Sequence, residues 1–176
     1  MSFAALHEAT IRVLTANGCE VVAPAGQLCC GALAAHAGVR DIARQLARVN
    51  LEVFLGQDFD AVITKASGCG STLKEYDQLF TADDPAHKKA HAFREKMRDV
   101  TEFLDGLGLA APLRELRMRV TYQDSCHLAH GQKIREAPRR LICAIPGIEL
   151  TEMRLSDNCC GSAGVYNVTQ TKTSLE

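Results

Sequence analysis

The chain has 176 residues, a net charge of −1 and a hydrophobic fraction of 47%, enough apolar material for one good core or for two small lobes sharing one. So small a net charge makes no electrostatic case for nucleic acid or an anionic membrane surface. No apolar run approaches the roughly 18–20 residues of a membrane span, and residues 1–17 lack a signal-peptide core, so the expectation is a soluble, cytoplasmic protein.

Phe3, Leu6, Thr10 and Val13 fall at helical spacing, and Asn17-Gly18 supplies a stop. Residues 19–23 read as a short strand ended by Pro24. Ile42, Leu46, Val49 and Val53 mark one face of a second helix that closes near Gly56. Residues 60–64 read as a buried strand running into a Gly-rich turn at Ser67-Gly68-Cys69-Gly70. Helix, strand, helix, strand is the grammar of an α/β domain with a largely parallel sheet. Over residues 85–106 the spacing of Phe93, Met97, Val100, Leu104 and Leu107 predicts one long amphipathic helix. Its other face carries Lys88, Lys89, Arg94, Lys96 and Arg98, a solvated surface by default. Residues 119–123 then read as a strand, 126–145 as a helix with Pro138 at a turn or kink, and 149–153 as a strand.

Two half-copies of one unit occur in this order. Leu14 to Gly18 followed by Val21-Val22 matches Leu141 to Gly147 followed by Glu149-Leu150. Each glycine precedes a cysteine pair at nearly the same distance, and each pair is followed by Gly, at Gly31 and Gly161. The expected fold is therefore α/β, with mainly parallel sheets and flanking helices, in two related, duplicated lobes. The boundaries are 1–84 for the first repeat, 85–117 for a connecting amphipathic helix and 118–176 for the second repeat.

Eight cysteines are the outlying feature of the composition. In a reducing compartment clustered cysteines serve metals or redox chemistry more often than disulfides. Adjacent cysteines point to different sides of an extended chain, so a tetrahedral zinc site seldom uses both, whereas a cluster of several irons accepts thiolates from several directions. A glycine after each pair lets backbone pass close to a bulky group. Cys69 and Cys126 follow strands directly, so their loops belong at the carboxyl edge of the sheet, where open α/β folds place ligands. Cys19 and Cys143 lack motif context and read as buried small hydrophobes. His127 and His130 flank Cys126 as hydrogen-bonding residues at a helix start, and His36 is a weaker candidate ligand. Lys65 and Lys74 lie near enough to Cys69 in sequence to favour its thiolate, although exposed lysines are the default.

Leu28-Cys29-Cys30-Gly31-Ala32-Leu33, Ala66-Ser67-Gly68-Cys69-Gly70, Gln123-Asp124-Ser125-Cys126-His127, Ile145-Pro146-Gly147 and Asn158-Cys159-Cys160-Gly161-Ser162-Ala163-Gly164 carry a resemblance. Together they resemble the Cys-Cys-Gly (cysteine-rich) domain family, in the form found in iron–sulfur subunits of glycolate dehydrogenases. The resemblance implies a 4Fe–4S cluster in each of two repeats. Cys29, Cys30 and Cys69 would be ligands in the first, and Cys126, Cys159 and Cys160 in the second. It further implies a non-catalytic electron-transfer component that passes electrons from a flavoprotein dehydrogenase partner to an acceptor. Any attachment to the inner membrane would come through partners. The family's leading cysteine of repeat one would lie before Met1, its closing cysteine of repeat two beyond Tyr166, and its ferredoxin-like part is not in the sequence. The chain thus reads as a middle fragment, in which three cysteines per repeat leave open whether a cluster is held. Two other classes stay open: a thiol–disulfide redox subunit like heterodisulfide reductase, and a structural zinc-binding module.

Overall fold

The computed structural model describes residues 3–162 and 165–175; Ala163 and Gly164 of the second cysteine motif lie outside them. The first helix, α1, is Ala4–Ala16. Asn17 ends it, with its amide donating to the Val13 carbonyl and its oxygen accepting from the Ala110 and Ala111 N–H groups. Residues 19–23 do not form the expected strand. Among the described residues no strand pairs with them, so their apolar pattern is left in an irregular segment.

Two helices follow, α2 (Ala32–His36) and α3 (Arg40–Leu55). The buried stripe of α3 is Ala43, Ala47, Asn50 and Leu51, whereas Ile42 and Val49 are exposed. The expected face is therefore corrected by a small rotation. Alanines at the contact let α3 approach its neighbours closely, which the larger Ile and Val side chains would prevent.

Strand β1 (Val62–Thr64) leads into α4 (Ser67–Lys74), so the Gly-rich stretch is the first turn of a helix rather than a loop. A 3₁₀ turn (Tyr76–Leu79) and α5 (Pro85–Lys96) follow, the latter capped by Asp84 with Pro85 in the first turn. The long helix expected over 85–106 is broken. Met97–Asp99 forms β2, parallel to β1, and α6 (Val100–Leu107) starts afresh behind it. Asp99 and Glu102 make a reciprocal capping box, which nucleates a separate helix, and the fully buried Met97 pairs with Val62. The spacing of apolar residues is the same on both sides of the break, which is why periodicity alone reads through it.

In the second half, β3 (Met118–Val120) pairs in parallel with β4 (Ile148–Leu150). Between them the expected helix over 126–145 is divided into a π-helical turn (His127–Gly131) and α7 (Glu136–Ala144), with Lys133 at a positive φ between. Short helices α8 (Tyr166–Thr169) and α9 (Thr171–Leu175) follow the second cysteine pair. The fold is α/β, with short parallel strands in two small sheets. The main core gathers Ala47, Leu51, Tyr76, Ala90, Phe93 and Met97, and a smaller cluster holds Leu128, Ile134 and Ala137.

The halves meet where α4 crosses the π-helical turn. A Cβ on Gly70 would lie 2.6 Å from Gln132 Nε2 and 2.8 Å from Thr64 Cγ2, and one on Gly131 would lie 2.6 Å from Ser71 Oγ. Gln132 donates to the Ser67 carbonyl at 3.0 Å across this contact. Among the described residues no helix is long and apolar enough to cross a membrane.

Candidate metal centre

The first cysteine pair sits in an irregular loop immediately before α2. Its glycine, Gly31, has φ +78°, and a Cβ there would meet the Ala43 backbone at 3.3 Å. Glycine therefore serves both a left-handed turn and a close helix contact. The loop's backbone is held by two buried side chains. Asn50 Oδ1 accepts from the Leu28 N–H at 2.8 Å, and Asn50 Nδ2 donates to the Cys29 carbonyl and to Tyr76 Oη, both at 3.1 Å. Tyr76 in turn donates to the Cys30 carbonyl at 2.9 Å.

The thiols of this loop meet Cys69, which lies in the first turn of α4. The Cys30 thiol interacts with those of Cys69 and Cys29. The hydrogen bond from Cys30 pulls the Cys69 thiol down to about 7, against the opposing effect of burial. Cys30 is pushed well up, first by its hydrogen bond to Cys69 and then by burial. The two thiols titrate together, so their shifts belong to the pair. The direction at Cys69 is downward, and its place in the first turn of α4 acts the same way, because a helix N-terminus favours negative charge. Lys74 is engaged by Glu102 at 2.7 Å instead of serving the thiol, while Lys65 Nζ is buried without a hydrogen-bond partner.

Cys126 stands at the start of the π-helical turn and is half-buried. The preceding Ser125 hydroxyl is 2.5 Å from that of Ser67, two residues before Cys69. The His127 ring lies 5.8 Å from that of His36. The Cys126 loop is thus docked onto the helix that carries Cys69. His130 packs between Arg135 and the Asp157 carbonyl.

Cys159 and Cys160 are exposed, and the Gly161 N–H donates to the Cys159 sulfur at 3.4 Å. The segment leading to them is tied to the segment before Cys126. The Asp124 N–H donates to the Ser156 carbonyl, and the Ser156 hydroxyl donates to the Asp124 carboxylate. Arg139 grips the same carboxylate with two 2.8 Å bonds and also pairs with Glu152. The guanidinium holds the Asp124 carboxyl below its ordinary value.

Of the six motif cysteines, Cys29, Cys30 and Cys69 are brought together through their thiols, and Cys126 is carried on an adjoining turn. Among the described residues, no three His, Cys, Asp or Glu side chains are arranged around a single metal ion. Cys143 is exposed and Cys19 only half-buried, so neither is the fully buried small hydrophobe expected. α7 buries Ala137 and Pro138 near its start, and Cys143 belongs to the turn at its far end. The residues that motif reading missed are Asn50, Tyr76, Arg139 and the carboxylate of Asp124. A polar Asn within the alanine stripe of α3 was the available signal for the first.

Several known proteins are similar to this chain. The probable glycolate oxidase iron–sulfur subunit of Bacillus subtilis is 40% identical over 99% of the chain and 40% of its own length. Lactate utilization protein A of Oceanobacillus iheyensis is 30% identical over 99% of the chain and 71% of its own length. A fumarate reductase (CoM/CoB) subunit of Methanothermobacter marburgensis is 37% identical over 89% of the chain and 29% of its own length. The chain therefore spans well under half of the first and third of these relatives. No solved structure is significantly similar. Residues 1–74 and 120–176 match the family described as the cysteine-rich domain, with its Cys-Cys-Gly signature; the chain belongs to that family.

Proposed function

We propose that this chain is the cluster-holding part of an iron–sulfur, electron-transfer subunit of a glycolate (2-hydroxy acid) dehydrogenase. The observation that carries the proposal is the approach of the Cys30 thiol, with Cys29 beside it in a loop held by Asn50 and Tyr76, to Cys69 in the first turn of α4. A vicinal pair beside a helix-terminal thiol whose ionisation is favoured suits a centre of several irons, which accepts sulfur ligands from several directions. Cys29, Cys30 and Cys69 serve as ligands in the first repeat, and Cys126, Cys159 and Cys160 in the second.

The group proposed is a 4Fe–4S cluster, which when bound accepts and releases an electron. The chain's own residues supply thiolates, orient them and shape the surroundings, and substrate chemistry belongs to a flavin-containing partner subunit. The proposed setting is the cytoplasm, where thiols stay reduced. The names of the Bacillus and Oceanobacillus relatives support a 2-hydroxy acid complex.

A duplicated architecture, with repeats over 1–84 and 118–176 joined by 85–117, has support in the backbone. Gly18 and Gly147 have φ +87° and +82°, and Gly31 and Gly161 both have φ +78°. Cys69 and Cys126 each open a helical segment soon after a strand of a parallel pair.

Anaerobic treatment of the chain with ferrous iron and sulfide tests the reading. The expected result is bound iron and acid-labile sulfide with visible absorption, reduced in Cys30→Ser and Cys69→Ser variants. Preferential binding of zinc, or uptake indifferent to serine at all six positions, overturns it.

A further inference from the structure

We infer that Asn50 and Tyr76 are positioning residues for the Cys29–Cys30 pair, fixing its backbone so that both thiols face Cys69 before any metal arrives. The inference rests on the reading of these cysteines as ligands of one centre. Successive side chains of an extended strand point to opposite faces, so a vicinal pair reaches one centre only from a particular, irregular backbone. That backbone lies outside any sheet or helix, and its polar groups need partners. Leu28 N–H, the Cys29 carbonyl and the Cys30 carbonyl all find them in these two side chains.

The chemistry of the two residues fits that task closely. Asn50 is 1% exposed and Tyr76 is 0% exposed, within a core of Ala, Leu, Phe and Met. Asn offers an acceptor and two donors on one planar group, and all are used. Aspartate would keep the acceptor and lose the donors, and leucine would lose both. Tyr76 takes a hydrogen bond from Asn50 and passes one to Cys30, while its ring stacks on Phe93 at 5.7 Å. The bonds therefore link α3, the 3₁₀ turn and the cysteine loop in one satisfied network, which rigidifies what it joins. Both groups are neutral as they stand, since burial pushes the Tyr76 phenol up, so the network orients the thiols without adding a charge beside them.

Phenylarsine oxide tests this without any metal. Its arsenic binds two thiols, forming two As–S bonds and releasing the oxide oxygen as water with the two thiol protons. The assay uses the full chain with Cys159→Ser and Cys160→Ser, so that the exposed second pair is silent. Tyr76→Phe and Asn50→Asp are expected to weaken arsenical binding at least about tenfold while circular dichroism stays native. Phe80→Leu, a core change away from the loop's hydrogen bonds, is expected to lower thermal stability and leave the affinity unchanged. Parental affinity in both loop variants, or an equal loss in Phe80→Leu, overturns the inference, as does absence of arsenical binding by the parent. Should one loop variant fail to fold, the other carries the comparison. Failure of the parent to take up iron and sulfide, with arsenical capture still dependent on Asn50 and Tyr76, removes the cluster reading alone.

Discussion

Replacing Arg139 by Met keeps a long apolar stem in α7 and removes the guanidinium. In the parent, the guanidinium makes two 2.8 Å bonds to Asp124, whose side chain is 3% exposed. Bonds of 2.8 and 3.1 Å reach Glu152, which is 53% exposed. The two partners have very different weights. Breaking an exposed pair costs about 0–1 kcal/mol, whereas stranding one member of a buried pair costs about 3–5 kcal/mol. Among the described residues only the Ser156 hydroxyl remains as a side-chain donor to the stranded carboxylate. The expected loss is therefore about 3–5 kcal/mol, a large part of the roughly 5–15 kcal/mol that a domain possesses.

Urea unfolding at neutral pH reads this as a lower midpoint with an unchanged slope. The cause is separable from lost packing. Adding Asp124→Asn to Arg139→Met removes the stranded charge, so the double variant should be more stable than Arg139→Met alone. A loss below about 1 kcal/mol for the single variant, or a double variant no more stable than it, would refute the reasoning.

Gly70→Ala should destabilise by about 1–3 kcal/mol, the usual range for overpacking, because its methyl meets Gln132 and Thr64 inside 3 Å; thermal melts check it. The Asp105 carboxyl is held below its ordinary value by the Arg140 hydrogen bond and charge that join α6 to α7. Its folded-state value is depressed, so its contribution is complete above the ordinary carboxylate value and is lost as pH falls through the lowered one. Asp105→Asn should accordingly flatten the acid limb of a stability–pH profile, and an unchanged limb would count against the pair. In native protein a thiol reagent should modify exposed Cys29, Cys143, Cys159 and Cys160 first and buried Cys30 last; peptide mapping of partly labelled protein gives the order.

What was legible in the sequence was mostly covalent punctuation. The glycines after the cysteine pairs and the Asn17-Gly18 stop announce backbone geometry that few other residues supply, and Gly18, Gly31 and Gly161 all take the positive φ that glycine permits. Parallel pairing of β3 with β4 was legible from the alternation of elements, since parallel strands need a crossover between them, whereas the partner of β1 was not, because it lies inside the expected long helix. Periodicity misled where two elements share one phase. Phe93, Met97 and Val100 keep helical spacing across β2, and only Asp99 with Glu102 marks the restart. It misled again on α3, where the largest side chains were assigned inward and the small ones do the packing. The bonds of Asn50 and Tyr76 could not be assigned from sequence because their partners include main-chain atoms more than twenty residues away, and a backbone carbonyl leaves no trace in a sequence; only the polarity of Asn50 on the buried face of α3 hinted at a role.

The two cysteine-bearing halves are braced by different physics. Around Cys29 and Cys30 the bracing groups are a neutral amide and a neutral phenol. Around Cys126 they are a carboxylate, a guanidinium and a second carboxylate. Burial supplies the reason for the difference. Asn50 and Tyr76 sit in the main core beside thiols that ionise to function as ligands, where another ionised group would interact strongly through low-dielectric surroundings. Asp124 is also buried, but Arg139 is partly open to solvent and balances it at 2.8 Å. A neutral network keeps its geometry as salt and pH vary, because nothing in it titrates in the accessible range or is screened. An ionic one weakens as its carboxylates protonate, and its solvent-open arm to Glu152 weakens with salt as well. The loop preceding Cys159 and Cys160 is therefore the one whose hold on the fold depends on solution conditions, and the backbone of Cys29 and Cys30 is the one braced by groups that do not.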